Sequence, residues 1–85
     1  MERYKAGMLA RSLAGHDEGQ IYVIIESEAS YIYLVNGKNR TLDRPKKKKA
    51  KHVRLIREEH DIAGINDAGI WKIIKEFVKE GKQEE

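Results

Sequence analysis

Cysteine is absent from this chain, and proline occurs once. Without cysteine there is no disulfide framework, no thiolate set for a zinc ribbon and no thiol nucleophile. That absence fits a reducing compartment. No apolar run approaches the roughly 18 residues of a membrane span, and MERYKAGMLARSL at the start lacks the apolar centre of a signal peptide. The chain is therefore expected to be soluble and cytoplasmic, with no membrane partner. Aromatic residues are few: four Tyr, one Trp and one Phe. GxxxxGK[ST], GxSxG and HExxH motifs are all missing. The three histidines (His16, His52 and His60) match no metal-ligand spacing. Asp17-Glu18 reads as a polar turn and not as a catalytic pair. An enzyme is not expected, nor a metal, a cofactor or a small-molecule substrate.

Eighty-five residues make one domain. Its core is small, and its expected stability is roughly 3–5 kcal/mol. The net charge of +3 conceals a strong asymmetry. Between Arg44 and Arg57 there are eight basic residues and no Asp or Glu: Arg44, Lys46, Lys47, Lys48, Lys49, Lys51, Arg54 and Arg57. The remainder carries nine basic residues against fourteen acidic ones. A concentrated positive segment on an otherwise acidic chain creates a local field that polyphosphates answer best.

Met8 to Leu13 reads as a first strand. Ala14 to Gly19 is a polar turn bounded by glycines. Gln20 to Glu26 is rich in β-branched and aromatic residues, as in a strand buried on both faces. After a polar turn at Ser27 to Ser30, Tyr31 to Val35 is another strand. Asn36-Gly37 then suits a two-residue type I′ hairpin. Its returning strand would be Lys38 to Asp43, with Val35 facing Lys38, Tyr33 facing Arg40 and Tyr31 facing Leu42. Pro45 would close that strand. The alternation of His52 to Arg57 predicts a fifth strand, and Glu58 to Ile65 a polar connection.

A helix is expected over about 67–80. Asn66 or Asp67 would cap its start. Ile70, Ile74, Phe77 and Val78 would form its apolar stripe, with Trp71 and Ile73 at the margins. Gly81 would end it, with Lys79 and Lys82 near its negative end. Five short strands with tight turns suggest a small antiparallel barrel over about 5–57, packed against or capped by this helix.

Four stretches carry a family resemblance. They are AGHDEG (Ala14 to Gly19), the strand Ile21-Tyr22-Val23-Ile24, YIYLVNGKNR (Tyr31 to Arg40) and PKKKKAKHVRL (Pro45 to Leu55). In this order and spacing the chain resembles the KOW-domain RNA-binding proteins, which are similar to the KOW-type large-subunit ribosomal proteins of archaea and eukaryotes. Gly19 stands where the KOW motif has its defining glycine. The resemblance covers about two-thirds of the chain, from Lys5 to Arg54. One departure is His16, where these proteins usually carry arginine, so the turn holds less charge. The resemblance implies a mainly β fold, a five-stranded SH3-like barrel here followed by one C-terminal α-helix. It further implies RNA binding, association with ribosomal RNA and no catalysis.

The expected RNA contacts lie first in the basic segment: Arg44, Lys46, Lys47, Lys48, Lys49, Lys51, His52 and Arg54. Lysines suit phosphate contact better than base readout. Gly15, His16 and Gly19 in the polar turn, Arg11 before it, and Lys38 and Arg40 at the hairpin complete the set. Tyr31 and Tyr33 fall on the same sheet face as Lys38 and Arg40 in this register. They either stack unpaired bases or fill the core, and core duty is the expectation. Trp71 is expected to pack on the sheet. The competing functional reading is a KOW-type protein-interaction module in a translation or transcription complex, for which ribosomal proteins are possible partners. DNA binding would use the same charges as RNA binding.

Overall fold

The computed structural model describes residues 3–81. Lys82, expected near the helix end, lies outside the described residues. Five strands and one helix follow in order: β1 (Met8–Ser12), β2 (Ile21–Glu28), β3 (Tyr31–Val35), β4 (Lys46–Lys49), β5 (Val53–Glu59) and α1 (Asp67–Glu80). A 3₁₀ turn, Ala50–His52, joins β4 to β5. The fold is thus mainly β, with one C-terminal helix. The strands form one antiparallel sheet in the order β4-β3-β2-β1-β5. The ladders leave the sheet open between β4 and β5, an arrangement compatible with an SH3-like fold.

Both faces of the sheet are covered at its centre, because side chains alternate along each strand. Met8, Ala10, Tyr22, Ile24, Ile32, Leu34, Val53 and Leu55 cluster on one face. Leu9, Ile21, Val23, Val35 and Ile56 lie on the other, beneath Ile70, Ile74 and Phe77 of α1. This two-sided burial explains the continuous apolar run of β2. Asn66 caps the helix, its Oδ1 accepting from the Gly69 N–H at 2.8 Å. Gly81 ends it in the left-handed region at φ 63. The apolar stripe stops at Phe77, however. Val78 is 60% exposed.

The connection after β3 differs from the expected hairpin. Lys38 to Asp43 is not a strand, and the pairings of Val35 with Lys38, Tyr33 with Arg40 and Tyr31 with Leu42 do not form. The strand that returns along β3 is the lysine run itself, with Tyr31 opposite Lys49, Ile32 opposite Lys48, Tyr33 opposite Lys47 and Leu34 opposite Lys46. Pro45 accordingly precedes a strand and does not close one. The reason lies in Asn36, which is buried. Its Oδ1 accepts from the N–H groups of Lys38 and Arg40, each at 3.0 Å. The Arg40 carbonyl accepts from the N–H groups of Asn36 and Gly37. Backbone groups that a tight hairpin ladder would use are thereby satisfied inside a wider loop. The tight two-residue connection occurs instead at Ala29-Ser30, between the paired Glu28 and Tyr31. Ala29 adopts φ 54 there.

The 36–45 loop docks on the start of α1. The Leu42 N–H donates to Asp67 Oδ1 at 2.8 Å. Gly37, at φ 80, lies so close to the helix that an added Cβ would overlap the Asp67 carbonyl and come within 2.9 Å of the Trp71 nitrogen. Gly37→Ala is therefore expected to destabilise the fold by about 2–4 kcal/mol, combining left-handed strain with a backbone clash. Urea denaturation measures this. A loss below about 0.5 kcal/mol would show that the loop does not rest on the helix.

β5 begins one residue after the expected fifth strand, since His52 closes the 3₁₀ turn, and it runs on to Glu59. Val53 and Leu55 face one core cluster and Ile56 the other, as the alternation predicts.

Candidate functional site

β4 is made of four identical side chains, but its pleat sends them to opposite faces. Lys46 and Lys48 follow Leu34 and Ile32 toward the first core cluster. Their side chains are only 28% and 10% exposed. Lys47 and Lys49 point the other way and are exposed.

The inward pair meets Asp17, from the turn between β1 and β2. Lys48 Nζ donates to Asp17 Oδ1 at 3.2 Å and to the Ala14 carbonyl at 3.0 Å. Lys46 Nζ stands 3.7 Å from Asp17 Oδ2. The same carboxylate accepts from the Ser12 hydroxyl at 2.9 Å and the Tyr22 hydroxyl at 2.8 Å. Burial opposes the charge on Asp17. Hydrogen bonds from Tyr22, Ser12 and Lys48, with the Lys48 charge, outweigh it and take the carboxyl down to about 2. Burial and the hydrogen bond to Asp17 push the Tyr22 hydroxyl up. Asp17 thus clamps the lysine strand to the 14–19 turn.

The outward side has a different character. Cross-strand pairing lines up Glu26, Tyr33 and Lys47 in one row across β2, β3 and β4, and Glu28, Tyr31 and Lys49 in the next. Tyr31 and Tyr33 are half-buried on this surface and belong to neither core cluster. The expectation that they fill the core is corrected here: Tyr22 is the core tyrosine. Lys47 Nζ sits 4.5 Å from the centre of the Tyr31 ring, a cation–π contact. The Tyr33 hydroxyl donates to Glu28 at 3.0 Å, and that bond raises its pKa. Lys51, exposed in the 3₁₀ turn, joins Ser30, Tyr31 and Lys49 around a shallow cleft.

The remaining expected contacts are dispersed. Lys38 and Arg40 are not on the tyrosine surface. Lys38 lies over the Trp71 ring at 4.7 Å, beside the helix. Arg40 is close enough to Tyr22 for its charge to act on that hydroxyl. Arg11 donates to the Gly19 carbonyl at 2.9 Å and holds the turn. Gly15 and Gly19 adopt φ 88 and φ 90, so both have a backbone duty in that turn. His16 is exposed at its tip, and Arg44 is exposed just before β4. His52 is half-buried, with its carbonyl accepting from the Leu13 N–H at 2.8 Å. Arg54 is exposed on β5, directly opposite Arg11. Trp71 packs against the helix-side core, as expected.

Sequence reasoning missed Ser12, Asp17 and Tyr22 as a unit, and Glu26 and Glu28 beside the tyrosines. The only available signal was the strand alternation that puts Ser12 and Tyr22 on one face. Among the described residues, no group of three or more His, Cys, Asp or Glu could hold a metal ion. No helix among them is long and apolar enough to cross a membrane. No known family model matches the chain, and no curated protein is found to be similar to it.

Proposed function

We propose that the protein binds RNA, specifically ribosomal RNA, through the outward side of β3 and β4 and the turn that follows. One observation carries this reading. Lys47, Lys49 and Lys51 are exposed together beside Tyr31, while Asp17 engages only the inward lysines. Three ammonium groups on a strand and a short turn present a fixed spacing of positive charge to phosphates. Arg44 and Arg54 extend the charge along the chain at either side. The KOW resemblance supports ribosomal RNA over other RNAs, and a cytoplasmic location with it. No catalytic step belongs to this reading.

The test is the affinity of the full chain for purified ribosomal RNA at about 50–200 mM salt. Three to five phosphate contacts give a slope of log K against log salt of about −2 to −4, at ~0.7–0.9 per contact. Lack of binding at the lowest salt would overturn the proposal.

A second reading, as a protein-interaction module with ribosomal proteins among its partners, draws on α1. Val78 is exposed and lines a cleft with Ile21, Trp71 and Ile74. Val78→Asp is expected to leave RNA affinity within about twofold, because the cleft that Val78 lines includes none of Lys47, Lys49 and Lys51. If that variant loses a translation-complex partner while RNA affinity is negligible, the second reading replaces the first.

A further inference from the structure

Ser30, Tyr31, Lys49 and Lys51 surround a cleft of about 380 Å³, within the range of small-ligand clefts, roughly 300–1,000 Å³. Its lining combines one aromatic ring, two ammonium groups and one hydroxyl. That is the chemistry of a nucleotide: a flat base and anionic phosphates on either side of a sugar. We propose that this cleft is a subsite for one unpaired nucleotide of RNA, with the base stacked on Tyr31 and the flanking phosphates on Lys49 and Lys51. The inference rests on the RNA reading above and deepens it, because it names the part of the RNA that is recognised.

Three features favour Tyr31 over Tyr33. Tyr31 has Lys49 opposite it in the ladder and Lys47 over its ring, so phosphate is drawn to its surroundings. The Tyr33 hydroxyl is committed to Glu28, and Tyr33 does not line the cleft. Finally, Lys47 is not among the residues lining the cleft. Its ammonium, over the Tyr31 ring, adds positive charge beside the cleft. A paired A-form helix keeps its base faces stacked inside, so the subsite selects loops, bulges or ends.

The experiment uses the full chain with two probes, a short fluorescein-labelled oligouridine and a blunt RNA duplex. Tyr31→Leu is expected to weaken oligouridine binding by about ten- to a hundredfold, the effect of one lost base–aromatic stack, and to change duplex binding by less than about twofold. Tyr31→Phe retains the ring and is expected to bind oligouridine like the wild type. A crosslinking readout needs no variant: 5-iodouridine in the oligouridine is expected to crosslink the unmodified protein at Tyr31. Unchanged oligouridine affinity in Tyr31→Leu, or crosslinks confined to other residues, overturns the subsite and leaves the RNA reading standing if the duplex still binds. If the wild type binds neither probe, the RNA reading itself fails, and the subsite with it.

Discussion

Replacing Asp17 with alanine is expected to destabilise the folded state by about 2–4 kcal/mol, most of what a domain this small possesses. The carboxylate takes hydrogen bonds from Ser12, Tyr22 and Lys48. Without it, the Lys48 ammonium, 10% exposed, keeps only the Ala14 carbonyl. The Tyr22 hydroxyl loses its acceptor as well. Asp17→Asn retains an acceptor without the charge, and about half the loss is expected. The pH dependence provides a second check. The folded-state pKa is about 2 against an ordinary 3.8. A depressed carboxylate contributes its stability in full above the unfolded value and loses it as pH falls through the folded one. About 2 kcal/mol should therefore disappear between pH 4 and pH 2 in the wild type, and that share should be missing from Asp17→Asn. Urea denaturation at several pH values measures both effects. A change below about 0.5 kcal/mol in Asp17→Ala would mean that the lysine strand is not held by this carboxylate.

The four lysines of β4 are expected to behave as two different pairs. Changing Lys47, Lys49 and Lys51 to alanine removes three exposed charges from the proposed interface. At 0.1 M salt this should weaken ribosomal RNA binding on the order of a hundredfold, at ~0.7–0.9 counterions released per lost contact. The fold should hardly notice, because exposed lysines on a sheet surface contribute little. Changing Lys46 and Lys48 reverses the pattern. Asp17 loses its cationic partners, and about 1–3 kcal/mol of stability is expected to go. RNA affinity of the folded fraction should stay within about threefold. Equal effects on RNA affinity from the two variants would contradict the division.

That division could not be read from the sequence, because four identical residues carry no alternation to see. Lysine is also a poor strand former, so no local property marks Lys46–Lys49 as a strand. The place of β4 in the sheet is set by long-range partners: Ile32 and Leu34 along β3, and Asp17 from a turn about thirty residues earlier. Asn36-Gly37 gave a strong local hairpin signal that tertiary structure overrode. The Asn36 side chain captured the backbone groups of its own loop, and Gly37 was needed against the helix. By contrast β2, β3 and α1 were legible, since their apolar patterns and caps are local properties. The basic segment was also legible as a charge concentration. Which of its members face outward depends on the pleat, and the pleat depends on the register.

The exchange of Tyr31 and Tyr33 from core to surface has the same cause. In the expected hairpin they faced Leu42 and Arg40. In the structure they face Lys49 and Lys47, with Glu28 and Glu26 on the other side. The surface is polarised across the strands, acidic toward β2 and basic toward β4. An anionic ligand is thereby directed to the β4 side, where Tyr31 meets Lys49 and Lys51.

The most direct test of the central claim compares salt dependence in three proteins: the wild type, the Lys47/Lys49/Lys51→Ala variant and the Lys46/Lys48→Ala variant. Each is titrated with ribosomal RNA across about 50–200 mM salt, under conditions where all three are folded. The account predicts that the slope of log K against log salt becomes shallower by about 2–3 in the outward variant and changes by less than about 0.5 in the inward one. An unchanged slope in the outward variant would contradict it, because the phosphates would then be held elsewhere.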